Sequence, residues 1–416
     1  MQGLFPTYWT KNSLNLSLMA FTRSIGASIT LVALPALVIK WGGGVSTLGR
    51  VVFLEMVLAA VIALPRATAV QRFGERGVLL FASVIETVAL AAIAGPSLLW
   101  AGAGRLFQGL ADKTNFSVST KVLFDETDSN NNRARVRSFF STAQSVGNLV
   151  GPVAGGLLAA ISLQAAVLVG AALSAMNIPL TNALLIFSSG RQQSGERTTG
   201  LNRLIGMHIR RLIENRFLFF MSLVIAALSL FDVFMSAILE VHLLKQHHFT
   251  VAQLGLLLSI SSLVPIALAM PVAAVVDRAG RITPLALDAL FIGGGIWGLS
   301  FSPLPYWVVV GLMASILLGL SFANSAITTL YGDLTRPSVR MSEMEAVGTI
   351  RTIAGAVLAL VVARYYDSFP VLTVRAIAAV MVMGPAFLVV LDLSQRRARK
   401  HPEQDTNAMK PVAPTV

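Results

Sequence analysis

Apolar runs of about 20 residues recur along the whole sequence, and that is the length a helix needs to cross a bilayer. They lie near residues 13–39, 46–67, 77–97, 98–121, 138–161 and 164–187, and again near 217–241, 251–276, 283–303, 306–330, 343–363 and 370–393. Most connections between them are short. The segment 188–216 is longer, polar and basic, and its part "RLIGMHIRRLIENR" has the pattern of a helix lying in the membrane interface. The expected architecture is an all-α integral membrane fold of twelve transmembrane helices in two pseudo-symmetric six-helix bundles. The bundles are 1–187 and 217–394, with a linker at 188–216 and a disordered tail at 395–416.

Composition agrees with a membrane solvent. Only 12% of the 416 residues are charged, against about 25% in a typical soluble domain, and the mean hydropathy is +0.72. Cysteine is absent, which excludes a disulfide framework and thiolate metal sites. The N-terminal stretch lacks a basic first region and runs into a span of full length, so no cleaved leader is expected.

The net charge of +12 would suit a nucleic-acid partner if it covered one face of a soluble domain. Its placement argues otherwise. With the N-terminus in the cytoplasm, 23 of the 32 Lys and Arg fall on the cytoplasmic side, five on the other side and four within spans. This is the positive-inside pattern of a multi-pass protein of the cell inner membrane with both termini cytoplasmic, its basic loops facing anionic lipid head groups. Nucleic acid is therefore not an expected partner.

Charges inside the spans mark function, because each costs about 2.5–3.5 kcal/mol at a span centre on insertion scales. Arg105 and Asp112 are seven residues apart on the fourth span, about 20° apart around an ideal helix and roughly 10.5 Å along it. Both belong to one face. Arg105 keeps its proton and stabilises neighbouring carboxylates, whereas Asp112 has the chemistry to exchange a proton or to sit in a static ion pair. Arg23 on the first span, Glu55 on the second, Asp232 on the seventh and Arg351 on the eleventh are further intramembrane charges. Glu86 and Asp288 are expected to be structural or interfacial. His242, His247 and His248 with Glu240 read as a solvated loop, and Phe231 and Phe234 flank Asp232 where an apolar substrate would meet them.

The fifth span reads "SVGNLVGPVAGGLL", a proline ringed by glycines, a composition that a membrane helix tolerates and that permits close helix approach and bending. A repeat supports the two halves. "AVQRFGERG" follows the second span and "VVDRAGRIT" the eighth, with Gln71 and Asp277 offset by 206 residues, while Gly109 and Gly319 are offset by 210.

The sequence resembles the major facilitator superfamily at three places. "DRAGR", residues Asp277, Arg278, Gly280 and Arg281 among them, is similar to its loop signature. "RLFQGLA" from Arg105 to Ala111 is similar to its fourth-span motif. "GNLVGPVAGG", with Gly147, Gly151, Pro152, Gly155 and Gly156, resembles the fifth-span motif of its proton-coupled antiporters. The first-half loop departs, with Ala67, Gln71 and Glu75 where the family has Gly, Asp and Arg.

The resemblance implies that spans 1, 4, 7 and 10 line a cavity and that the fifth span slides at the interface between halves, sealing it against ion leak. The expected function is secondary export of a small amphipathic molecule such as a drug, secondary metabolite or siderophore, by proton antiport. Arg105, Asp112 and Asp232 are the coupling candidates, and Arg23, Asp232, Phe231, Phe234, Glu55 and Arg351 the cavity candidates. The partners expected are the substrate, protons and membrane lipids, for a monomer without cofactor or metal. Mixed cavity charge leaves the substrate's charge open. An uncoupled transporter, a lipid translocator and a sensor remain alternatives. No P-loop follows the glycine runs at 42–44 and 293–295, and no Gly-x-Ser-x-Gly elbow or His-Glu-x-x-His pair occurs, so neither ATP-driven transport nor an enzyme is expected.

Overall fold

Long helices fill the structure because a backbone in lipid has only itself to hydrogen-bond. The computed structural model describes residues 11–126, 130–184, 229–268, 271–272, 275, 282–334 and 340–400. Among these there is no strand. The first half comprises α1 (Lys11–Lys40), α2 (Val45–Ile93), α3 (Leu98–Glu126), α4 (Asn130–Ile161), α5 (Leu163–Ala175) and α6 (Asn177–Leu184). In the second half, residues 229–233 and a π-helical turn, Phe234–Ile238, lead into α7 (Leu239–Gln246) and α8 (Val251–Ala267). Then come α9 (Ile282–Asp288), a second π turn (Ala289–Gly293), α10 (Gly294–Leu299), α11 (Tyr306–Leu334), α12 (Arg340–Ser368) and α13 (Pro370–Lys400).

Two expected spans, 46–67 and 77–97, occur as one helix, α2, broken only at Gly74. There φ is 72° and ψ 164°, a left-handed turn that a glycine makes without a Cβ clash. Among the described residues, six helical segments are long and apolar enough to cross a membrane: Asn12–Lys40, Val45–Ile62, Arg72–Ile93, Phe139–Ile161, Leu163–Asn182 and Tyr306–Ala323. Shorter apolar helices among the same residues are Val251–Ala267, Thr283–Leu299 and Pro370–Gly384. The fourth span, in α3, carries Arg105, Asp112 and Lys113. The linker 188–216 and the tail from 401 lie outside the described residues.

Large apolar side chains point outward, among them Ile161, Leu99, Trp307 and Leu372. That is costly in water and neutral in lipid. Trp100, Trp297 and Trp307 are exposed near helix ends on the side of the turns at 41–44, 94–97 and 301–305, as an interfacial aromatic belt would be.

One apolar core runs through both halves there, joining Val45, Leu48 and Val52 of α2 with Ala359, Ala363 and Tyr366 of α12. Its close approaches depend on missing side chains. A Cβ on Gly49 would overlap Ala363, and one on Gly355 would come 2.9 Å from the Met56 sulfur. Across a second seam, a Cβ on Gly255 of α8 would overlap the Pro152 carbonyl of α4. The Val153 N–H donates to Ser259 Oγ at 3.1 Å across the same seam. At the end of α12, Asp367 accepts from the Ser46 N–H of the other half at 3.1 Å, which places a carboxylate at the N-terminus of α2.

Candidate functional site

Among the described residues, three Arg–carboxylate pairs lie within the helices, and each joins two elements distant in sequence. Arg23 of α1 reaches Asp112 of α3 at 3.5 Å, with the arginine side chain 7% exposed and the aspartate 49%. Arg105 of α3 meets Glu55 of α2 at 3.2 Å. Arg351 of α12 grips Asp232 in a fork, Nη2 to Oδ1 at 2.8 Å and Nε to Oδ2 at 2.9 Å. The helical spacing rightly set Arg105 and Asp112 on one helix, yet they take different partners. A fixed guanidinium beside a carboxylate stabilises its charged form, and the fork adds directionality that a lysine lacks.

The fourth-span motif has a local physical reason. Arg105 Nη1 donates to Gln108 Oε1 at 3.1 Å, one helical turn on. Gly109 then leaves the space that the Glu55 carboxylate occupies, since a Cβ there would overlap that carboxylate. Arginine, glutamine and glycine thus seat one acid from the second span. Glu240 of α7, itself buried, also lies within electrostatic reach of Arg105, from the other half of the chain.

On the C-terminal side, Asp232 lies just before the π-helical turn Phe234–Ile238, with Val233 between them, and Ser236 Oγ donates to the Asp232 carbonyl at 2.6 Å. Asp288 directly precedes the other π turn. Such turns widen a helix locally and recur at functional sites. No spacing in the sequence announced them. Phe231 and Phe234 do not flank an open cavity. Both are buried in the apolar core, because residues one and two positions from Asp232 leave the helix on other faces.

The fifth-span glycines also divide differently from the expectation. Gly147, Gly151 and Gly155 face α1 within their own half, where added Cβ atoms would come 2.6, 2.6 and 2.8 Å from Phe21 O, Ser28 Cβ and Ile29 Cα. Only the other side of the helix meets the second half: Pro152 through its carbonyl, and Gly156, whose Cβ would lie 3.0 Å from Val251 O. The reason is the helical angle. Positions at i, i+4 and i+8 keep one face, and Gly156 falls about 100° away from Gly155.

Of the histidine group, His242 and His247 are buried together with Glu240, while His248 is exposed as a loop residue would be. His242 Nδ1 pairs with Tyr366 Oη at 2.7 Å, and the Nε2 atoms of His242 and His247 both meet Leu299 O, at 3.0 and 3.2 Å. Leu299 ends α10 and has a carbonyl to spare, which recruits the two rings. Burial pushes the pKa of His247, in the turn outside the helix, below its ordinary value. Arg375 stacks on Trp297 and Phe301 beside this group.

Glu86, expected to be structural or interfacial, sits inside the N-terminal half. It is fully buried on α2, where Asn115 Nδ2 of α3 donates to its Oε2 at 2.8 Å. A small pocket beside them is lined by Arg23, Ser83, Asn115, Ser119, Phe140 and Asn177. A lone acid in the run "VIETVAL" was the available signal. Asp277, Arg278, Gly280 and Arg281 lie outside the described residues. Their first-half counterpart turns at Gly74, after which Arg76 Nη2 holds the Asn182 backbone carbonyl at 2.6 Å.

Helical bundles with paired charges set inside their spans define a multi-pass membrane transporter. The sequence profile of the Major Facilitator Superfamily matches residues 16–359, and the chain belongs to that family. It is 41% identical over 110 residues to the tetracycline resistance protein, class C, of Escherichia coli, a match covering 26% of this chain and 27% of that protein. The fold is similar to the nucleoside transporter NupG, with a TM-score of 0.71 at 14% identity, covering 94% of this chain and 100% of that one. It is also similar to a bacterial homolog of the human lysosomal transporter Spinster in an inward-facing, unoccupied conformation (TM-score 0.69, 12% identity, 93% and 94% covered). A POT family transporter in complex with a thioalcohol conjugated peptide gives 0.73 at 12% identity, with 92% and 96% covered.

Proposed function

We propose that the protein is a proton-coupled exporter of small amphipathic molecules, working by alternating access in the cell inner membrane with both termini cytoplasmic. The observation that carries this reading is the set of intramembrane pairs Arg23–Asp112 and Arg351–Asp232, one in each half, with both carboxylates partly open. A carboxylate held by a fixed cation and reached by water can be neutralised by a proton in one state and by the arginine in another. The half-to-half contacts on the outer side suit a state closed to the outside, from which cargo enters on the cytoplasmic side. Similarity to a tetracycline resistance protein over about a quarter of its length supports a drug as cargo.

The test is uptake into inside-out proteoliposomes under an imposed pH gradient, with tetracycline as the first probe of a drug panel. An acidic lumen is expected to drive accumulation, and collapsing the gradient to abolish it. Flux that ignores the gradient contradicts antiport.

A further inference from the structure

Glu86 and Asn115 leave two atoms unsatisfied that fit one another. The carboxyl is fully buried, and Asn115 is nearly so. Asn115 spends its amide N–H on Glu86 Oε2 at 2.8 Å. Glu86 Oε1 and Asn115 Oδ1 are both buried without a hydrogen-bond partner. Two acceptors cannot satisfy each other. A proton on Oε1 turns that oxygen into a donor, and the neighbouring acceptor without a partner is Asn115 Oδ1. Acid and amide then offer one donor and one acceptor each, as a buried polar pair requires.

The charges facing Glu86 are Arg23 from α1 and Asp112 from α3, both within electrostatic reach. α6 brings the neutral Asn177 to the same pocket, where its Oδ1 accepts from Thr22 Oγ1 at 2.7 Å. Arg23 is committed to Asp112, at a distance of 3.5 Å that is long for a charge-assisted contact. It is almost fully buried and lines the pocket beside Asn115.

We infer that Glu86 is a second proton-carrying group: it holds a proton in this conformation, and when it releases that proton Arg23 leaves Asp112 to pair with it. One guanidinium then serves two carboxyls in turn. This deepens the proton-coupled reading and rests on it for its use in transport.

The proton itself can be tested without a substrate, by infrared titration of the purified full chain. A protonated-carboxyl absorption is expected at pH 7, absent from Glu86→Gln, and shifted in frequency by Asn115→Leu, which removes the acceptor. In Asp112→Asn, Arg23 is released to Glu86, and the band is expected to vanish at a pH about one unit lower than in wild type. Glu86→Asp, which keeps an acid, restores a band if Glu86→Gln yields too little folded protein. Wild-type and Glu86→Gln spectra that coincide in the carboxylic-acid region overturn the proposal. So does a titration unchanged by Asp112→Asn, which removes the exchange. A transporter that ignores a pH gradient overturns the coupling reading alone, because the band reports the proton on Glu86 either way.

Discussion

The two halves handle their buried charge in different ways. In the N-terminal half, charges are shared: Arg23 serves Asp112 with Glu86 in reach, and Arg105 meets Glu55 with Lys113 and Asp112 in reach. In the C-terminal half, Arg351 and Asp232 form one closed fork with both oxygens used. A shared arrangement has alternative partners, so a proton or a mutation redistributes contacts. A closed fork spends both carboxylate oxygens on one guanidinium, and removing either member strands the other. The first suits exchange, the second suits holding.

The largest effect is expected at the seam between the halves. Gly255→Leu places a side chain into the Pro152 carbonyl and should abolish transport while the protein still inserts, since each half packs without it. Gly151→Leu instead meets Ser28 and Ile25 within one half. It should lower the yield of folded protein. Measuring both membrane abundance and flux separates the two, and identical phenotypes would erase the distinction between the faces of α4.

Asp232→Asn should come next, reducing gradient-driven flux at least about tenfold, the effect of roughly 1.4 kcal/mol on the rate-limiting step. Asp112→Asn should cost about threefold less than that, because Arg23 has Glu86 to turn to. The reverse order in proteoliposome flux would break the contrast between a shared and a closed arrangement.

The smallest effect belongs to the turn that carries His247. His247 is held neutral by burial, with its folded pKa below its unfolded value. The unfolded chain therefore binds more protons as pH falls, and the stability that neutral His247 contributes is present above about pH 6.5 and lost on acidification below it. Thermal unfolding in detergent should fall from pH 7 to pH 5, and His247→Gln should flatten that slope.

Much of this was legible in the sequence. Run length gave the helical spans, and the spacing of Arg105 and Asp112 put both on one helix. Side-chain partners were not legible, because they depend on how helices rotate against one another. Glu55 reaches Arg105 only because Gly109 leaves room, and three of the fifth-span glycines face α1 only because of where that helix turns. The histidines misled for a related reason. "EVHLLKQHHF" looks polar, but the free carbonyl at Leu299, far along the chain, draws His242 and His247 inward. The π turns beside Asp232 and Asp288 had no signal in a single sequence.

Coupling of transport to carboxyl protons is the central claim, and proton release tests it most directly. Tetracycline, or the first drug that the liposome panel identifies, is added to weakly buffered, detergent-purified protein while pH is recorded. Wild type should release protons on binding, and Asp112→Asn and Asp232→Asn should each release fewer. Wild type that binds the drug and releases none would contradict the account.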